Sequence, residues 1–229
     1  MKPPGYVLYD GPSRHDGSRI LAIVTNTNTA TPSRNEKTGD MAQVWVLSAN
    51  QAPHQAIQTG ADRAVCGDCP LRRSICYVQT QRAPLAVYRA WQRGAYPRLS
   101  PSEVQIAKPI RFGAYGDPAA VPTDVWRQLS AAGRGRTGYT HGWRTRPSLR
   151  GLVMASTETA DQTRDAWSRG WRTFRVKAAS DPVLEGEIVC PASAEAGRLR
   201  GVKTTCQACL LCDGARTHDR RKSIVINKH

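Results

Sequence analysis

The seven cysteines of this chain fall into two groups, and the spacing within each group is typical of metal ligands. The C-terminal group joins Cys190, which precedes a proline, to the run Cys206, Cys209 and Cys212. Two-residue spacing repeated twice lets three thiolates converge from one tight loop, and a fourth cysteine before proline completes the donor set of a cubane cluster. Zinc accepts four thiolates equally well, and His218 could replace one of them. The pattern therefore predicts a metal site and favours a [4Fe–4S] cluster over zinc.

The N-terminal group consists of Cys66, Cys69 and Cys76, and it follows an apolar segment that is predicted as a strand. Three thiolates with no obvious fourth leave one metal position open, as a cofactor-binding or catalytic cluster requires. The alternative is a closed structural zinc site, completed by His54 or by a cysteine of the C-terminal group. The sequence leaves both hypotheses open.

The charge of the chain indicates a phosphate-rich partner. It carries 33 Lys and Arg against 18 Asp and Glu, a net charge of +15, and the segment 134–177 alone holds ten basic residues and three acids. Such an excess favours nucleic acid, either DNA or RNA, as the partner. Arginine-rich loops contact phosphates, and a tryptophan within one could stack on a base. The predicted nucleic-acid contacts are Arg134, Arg136, Trp143, Arg144, Arg146 and Arg150.

The composition is that of a globular protein of the cytosol. Hydrophobic residues make up 40% of the chain, yet no apolar run reaches the length of about 18 residues that spans a membrane. The first residues are too short and too polar a segment for a signal peptide. We therefore expect the cytosol, without a membrane partner. Thiols stay reduced there, so the cysteines are expected to bind metal instead of forming disulfides.

Strands and helices alternate along most of the sequence, which predicts an α/β fold. Apolar strand segments recur from residue 110 to residue 226, separated by helices of about ten to fifteen residues, and this pattern is typical of βαβ units with a parallel sheet. Six or seven such strands suit a partial or compact (β/α) barrel, because a complete eight-fold barrel needs about 250 residues. We divide the chain into an N-terminal strand and loop extension (1–40), the barrel core (41–189) and a C-terminal cysteine-rich metal-binding segment with the closing strand (190–229).

Polar side chains follow the predicted strands at their C-terminal ends. In a parallel α/β fold these ends form the face on which active sites are built. Further polar residues, at 179–181 and at Cys190, follow later strands. The candidate catalytic residues are Asp117, Tyr139, His141, Ser156 and Glu158.

The first cysteine group and the strand that ends in Gly116-Asp117-Pro118 together resemble the radical S-adenosylmethionine superfamily. In that superfamily a three-cysteine loop after the first barrel strand holds a [4Fe–4S] cluster, and a glycine-rich turn after the second strand holds the methionyl amine of S-adenosylmethionine. The resemblance implies that Cys66, Cys69 and Cys76 hold the cluster, and that Gly116 and Asp117 bind the cofactor. The chain departs from the family spacing Cys-x-x-x-Cys-x-x-Cys and carries Asp117 in place of the usual glutamate.

The order of motifs over residues 60–214 is also similar to a phage family known as gene product 88. The shared pattern is an early Cys-Pro and Cys-Tyr cluster, a strand from Arg111 that ends in Gly-Asp, a Tyr-Thr strand end and a closing Cys-Pro with Cys-x-x-Cys-x-x-Cys. This order is more specific than any one of the motifs.

Three functions agree with these features. The first is an iron–sulfur, radical S-adenosylmethionine-like enzyme that modifies nucleic acid or a nucleotide-derived substrate. The second is a base-exchanging transglycosylase of phage DNA-modification type, with Asp117 as nucleophile and a structural zinc at the last cysteine group; such an enzyme must flip its target base out of a duplex. The third is a non-catalytic, zinc-stapled nucleic-acid-binding protein.

Overall fold

Nine strands form one sheet in the part of the chain that the computed structural model describes, residues 3–28, 32–33, 35–201 and 204–228. The strands are β1 (Gly5–Pro12), β2 (Arg19–Thr25), β3 (Ala42–Ser48), β4 (Ile110–Tyr115), β5 (Arg136–Thr140), β6 (Met154–Thr157), β7 (Thr173–Lys177), β8 (Glu187–Val189) and β9 (Ser223–Asn227). The helices are α1 (Pro53–Thr59), α2 (Arg63–Cys66), α3 (Ala83–Gln92), α4 (Thr123–Ala132), α5 (Ala160–Ser168), α6 (Ala194–Arg200) and α7 (Cys206–Cys209).

The strand order is β1-β2-β3-β4-β5-β6-β7-β9-β8, and the sheet is open. The pairs β1–β2 and β2–β3 are antiparallel, and every pair from β3 to β8 is parallel. The predicted mixed α/β fold with a mostly parallel sheet is therefore confirmed. A closed barrel is not formed by the described strands, because the antiparallel strands β1 and β2 continue the sheet beyond β3 and leave β1 and β8 as edges.

The two faces of the sheet carry different layers, because successive side chains of a strand point to opposite faces. On one face, which we call the helix-covered face, Phe112 of β4 packs against Trp126 of α4 with ring centroids 4.8 Å apart. On the other, the cysteine-covered face, Tyr139 of β5 and Phe174 of β7 lie 4.3 Å apart. A second apolar cluster on this face contains Met154, Ile224, Ile226 and two of the C-terminal cysteines, Cys190 and Cys212.

The three predicted segments of the chain share this one sheet. The N-terminal extension contributes β1 and β2, and the cysteine-rich C-terminal segment contributes β9, which lies between β7 and β8. The two outermost predicted boundaries, residues 1 and 229, lie outside the described residues. None of the described helices combines the length and the apolar character needed to cross a membrane.

Candidate functional site

The carboxyl ends of β4 and β5 are joined by the carboxylate of Asp117, which is 7% exposed. Its Oδ1 accepts hydrogen bonds from the hydroxyl of Thr140 (2.6 Å) and the backbone N–H of Ala119 (2.8 Å), and its Oδ2 accepts from the backbone N–H of His141 (2.7 Å). Neighbouring parallel strands end at the same edge of a sheet, so the turn after one strand can bind the end of the next. Asp117 thus fixes the position of His141.

His141 brings the first cysteine group into contact with a second acid. Its Nε2 lies 2.7 Å from Oε1 of Glu158, which follows β6, and 3.9 Å from Sγ of Cys69. Burial lowers the pKa of His141, but the hydrogen bonds to Cys69 and Glu158 outweigh it and raise the pKa to about 10. The ring is therefore an imidazolium at neutral pH. Cys69 and Glu158 both approach the same ring nitrogen of His141. In a catalytic triad the nucleophile and the orienting acid bind different nitrogens of the histidine, so these three residues do not form one.

The loop that carries Cys66, Cys69 and Cys76 is tied to the same strand ends. Asp62, which is 1% exposed, accepts two hydrogen bonds from the guanidinium of Arg72 (2.8 and 2.7 Å), and Arg72 also donates to the carbonyl of Gly67 (2.9 Å). The backbone N–H of Asp117 donates to the carbonyl of Val65 (2.6 Å). The loop therefore cannot shift without disturbing the turn after β4.

The thiols of this first group influence one another electrostatically. Burial raises the pKa of Cys66 well above its usual range, and Cys69, Asp62 and Cys76 add to the effect. Burial also raises the pKa of Cys76. In the described residues, no three His, Cys, Asp or Glu side chains already stand in the geometry of a metal site.

Two buried polar atoms beside this group have no hydrogen-bond partner within the described residues. They are Nε2 of His15 and the hydroxyl of Tyr115. The His15 ring packs directly on Gly67, where an added Cβ would lie 2.7 Å from its Cε1. Burial raises the pKa of Tyr115, and Cys66 is its strongest electrostatic neighbour. Buried polar groups are rarely left unpaired. Three thiols with an unpartnered imidazole and phenol beside them therefore fit a bound metal or cluster.

The second group, Cys190, Cys206, Cys209 and Cys212, lies on the cysteine-covered face. Burial raises the pKa of Cys212, and the other three thiols of the group act in the same direction. The helix that carries Cys206 is attached to the loop before β3, because the backbone N–H of Cys206 donates to the carbonyl of Lys37 (2.9 Å). Four thiols would be the donor set of either a [4Fe–4S] cluster or a structural zinc, although the described side chains do not stand in the geometry of such a site.

The structure separates the predicted catalytic residues into two sets. Asp117, His141 and Glu158 come together at the strand ends, as described above. Tyr139 instead lies on the cysteine-covered face, where burial and the nearby thiol of Cys212 raise its pKa. Ser156 is buried, and its carbonyl accepts a hydrogen bond from an indole. Gly116 has φ +79° and packs on Val46, where a Cβ would lie 2.7 Å away, so packing alone requires glycine there.

One of the predicted nucleic-acid contacts, Trp143, is wrong, and a second, Arg136, is engaged inside the chain. Trp143 is only 3% exposed and donates its indole N–H to the carbonyl of Ser156 (3.2 Å), so its ring cannot stack on a base. Arg136 donates to the carbonyls of Leu152, Gly151 and Asp213 and to the hydroxyl of Ser130, so its guanidinium is used inside the chain.

The other four predicted arginines differ in how far they are engaged. Arg144 lies over the Trp143 ring and pairs with Asp165. Arg146 and Arg150 donate to the backbone carbonyls of Arg14 and Arg169. Arg134 is exposed. A basic cavity of about 610 Å³ lies elsewhere, at the N-terminal ends of β8 and β9, and Arg164, Arg220 and Lys222 contribute to its lining.

Four residues of the site were not predicted from the sequence: His15, Tyr77, Tyr115 and Arg111. Arg111 could have been found, because it alternates with the apolar Ile110 and Phe112 and must therefore face away from the helices. His15 reaches the site only through contacts between distant parts of the chain, whereas Tyr77 directly follows Cys76 in the first cysteine loop.

Comparison with protein-family models, with curated proteins and with solved structures finds no match to this chain.

Proposed function

We propose that this protein is an iron–sulfur enzyme of radical S-adenosylmethionine-like layout that modifies nucleic acid or a nucleotide-derived substrate. The observation that carries the proposal is the contact of His141 with both Cys69 and Glu158 at the carboxyl ends of parallel strands. Thiols and proton-carrying groups meet there on the edge of the sheet where α/β enzymes build their active sites.

The strand order supports a partial barrel. Strands β3 to β7 are parallel and lie side by side in chain order. Right-handed connections between such strands place every crossover on the same face of the sheet, as in a barrel. In a doubly wound sheet the strand order reverses, so that the crossovers lie on both faces. The first cysteine loop follows β3, the first of the parallel strands, and the Gly116-Asp117 turn follows β4, the second. These are the positions that the family resemblance implies.

The residues present suit a division of work between the two groups. Cys66, Cys69 and Cys76 would hold the catalytic cluster, and a cluster held there supplies the chemistry that cleaves S-adenosylmethionine when that cofactor is bound. Asp117 fixes the two strand ends, and the His141 imidazolium and Glu158 hold a proton next to the cluster. The four C-terminal cysteines would hold an auxiliary or structural centre.

Two observations oppose the rival functions. A transglycosylase needs the Asp117 carboxylate as a free nucleophile, and that carboxylate accepts three hydrogen bonds from the chain itself. A non-catalytic binding module with Trp143 as its stacking residue is opposed by the burial of that ring. The net charge of +15 supports a nucleic-acid partner for the enzyme, and seven free cysteines suit the reducing cytosol of a phage-infected or other bacterial cell.

The test is metal and sulfide analysis of protein purified without oxygen. We expect iron and acid-labile sulfide, and S-adenosylmethionine cleavage that is lost in Cys69→Ser. Stoichiometric zinc without sulfide, in protein never exposed to air, contradicts the proposal and favours the two zinc-based alternatives. Cys209→Ser is the comparison variant: it removes one thiol from the second group, so it should lower stability but keep the cluster of the first group in the protein that folds.

A further inference from the structure

Arg111 carries a charge that no acid of the described chain neutralises. It is half-buried on the cysteine-covered face of β4, and its described hydrogen bond is the one that it donates to the hydroxyl of Tyr77. Its further electrostatic neighbours are Tyr139 and Cys206. The remaining N–H groups of the guanidinium make no hydrogen bond within the described residues.

Three other arginines of the sheet and its loops have an acidic partner. Arg72 binds Asp62, Arg172 lies by Asp213, and Arg175 forms a two-bond pair with Glu187. This is the usual arrangement, because a buried charge without a counter-charge is costly. Arg111 departs from it on the cysteine-covered face of β4, so an anion from outside the chain is the missing partner.

Tyr77 marks where that anion would bind. Its side chain is 69% exposed, it follows Cys76 in the first cysteine loop, and its hydroxyl accepts from the Nη2 of Arg111. An exposed tyrosine can move aside at little cost, and a phosphate oxygen is a stronger acceptor for a guanidinium than a phenol. The hydroxyl thus occupies the position of an oxyanion.

We propose that Arg111 binds a phosphate oxyanion of the substrate, with Tyr77 covering the site until the phosphate displaces it. Arg111 is then a positioning residue. It places the nucleotide between the first cysteine loop, which carries Tyr77, and the second cysteine group, which includes Cys206. This inference deepens the proposed function and rests on it for the identity of the substrate, but phosphate binding itself requires neither metal nor turnover.

The experiment measures binding of a fluorescent ten-nucleotide oligothymidylate at low salt, and its displacement by deoxythymidine monophosphate or by thymidine, which lacks the phosphate. Arg111→Gln should weaken oligonucleotide binding about 10- to 100-fold, as expected for loss of a charge-assisted contact. It should also make the dependence of log affinity on log salt shallower by about 0.7. Arg220→Gln, at the rim of the basic cavity, removes the same charge and is the matched control; it should change affinity less than twofold.

The two sources of phosphate are separated by the competitors. If the monophosphate displaces the oligonucleotide from the wild type but not from Arg111→Gln, the ligand of Arg111 is a free nucleotide. If Arg111→Gln weakens only the binding of the oligonucleotide, the ligand is a phosphodiester chain. Equal effects of Arg111→Gln and Arg220→Gln overturn the inference. The inference is also overturned if Arg111→Gln binds the oligonucleotide as the wild type does but loses metal. That result would mean that Arg111 neutralises the thiolates near Cys206.

A second variant keeps the inference testable if Arg111→Gln does not fold. Tyr77→Phe removes the internal acceptor and should leave phosphate binding unchanged or strengthen it severalfold, whereas a tenfold loss contradicts the displacement of Tyr77. Iron and sulfide are measured on the same samples. A protein without iron that still shows Arg111-dependent binding would contradict the proposed function and retain this inference.

Discussion

Replacing Asp117 by asparagine tests whether this carboxylate organises the site or takes part in the reaction. The side chain is 7% exposed and accepts three hydrogen bonds of 2.6 to 2.8 Å. An asparagine oxygen can keep the bonds to Thr140 and Ala119, but its amide nitrogen then meets the backbone N–H of His141, donor against donor. One charge-assisted bond is lost and a buried N–H loses its partner, which together cost about 2–4 kcal/mol.

The assay is urea unfolding followed by circular dichroism. With a slope of about 1–3 kcal/mol per molar urea, this loss should lower the unfolding midpoint by about 0.7 M or more in Asp117→Asn. The control is Asp124→Asn, whose side chain is 77% exposed and pairs with Arg127 one turn away, and it should change stability by less than about 1 kcal/mol. Thr140→Val removes one donor, so its effect should be less than additive with that of Asp117→Asn. An Asp117→Asn protein that is as stable as the wild type but inactive would refute the organising role and favour a nucleophilic aspartate.

Three further perturbations test other parts of the structure. Cys209→Ser should lower the thermal midpoint more than Cys69→Ser, because a closed four-thiolate centre contributes directly to folding. Equal decreases in the thermal midpoint contradict a structural role for the second group and a catalytic role for the first. Glu187→Gln should lower the free energy of unfolding in urea by about 3–5 kcal/mol, because it leaves Arg175, which is 1% exposed, without its anion. The double variant Arg175→Met with Glu187→Leu should lose far less stability, because it removes both charges. The hydrogen bonds of Arg221 hold the pKa of Asp219 well below its usual 3.8, so the stability that Asp219 contributes is complete above about pH 4 and is lost as the pH falls further. When the pH is lowered, Asp219→Asn should therefore lose less free energy of unfolding than the wild type. Identical curves of stability against pH contradict the assignment.

Local patterns in the sequence predict most of the elements, because periodicity is a local property. The apolar run of β2 and the amphipathic segments of α4 and α5 can be recognised from the sequence alone, and α5 begins at a capping box formed by Thr159 and Gln162. The apolar residues Leu152 and Val153 extend the sequence signal of β6 two residues before the strand begins, because they are buried like strand residues although they belong to the preceding turn.

Pairing and side-chain direction were harder to predict because both depend on distant residues. Nothing local to β1 and β2 distinguishes antiparallel strands at the edge of a sheet from the first strands of a barrel. Asp117, His141 and Glu158 were placed together correctly, since each follows a parallel strand. Tyr139 was misassigned to that set because it lies inside β5, where the alternation of side chains turns it toward Phe174 on the other face. The tryptophan at 143 was taken as exposed because of its arginine neighbours, yet its indole is packed in the core.

The position of β9 sets an order in time for the two cysteine groups. A chain is made from its N-terminus, and its early parts fold first. The first cysteine loop depends on strand ends no later in the chain than Glu158, so it can settle while synthesis continues. Cys190 follows β8, whose described partner strand is β9, and its backbone N–H donates to the carbonyl of Val225 in that strand (2.8 Å). Cys190 therefore lacks its backbone partner until residues 223–227 have left the ribosome, so the second group is completed later than the first.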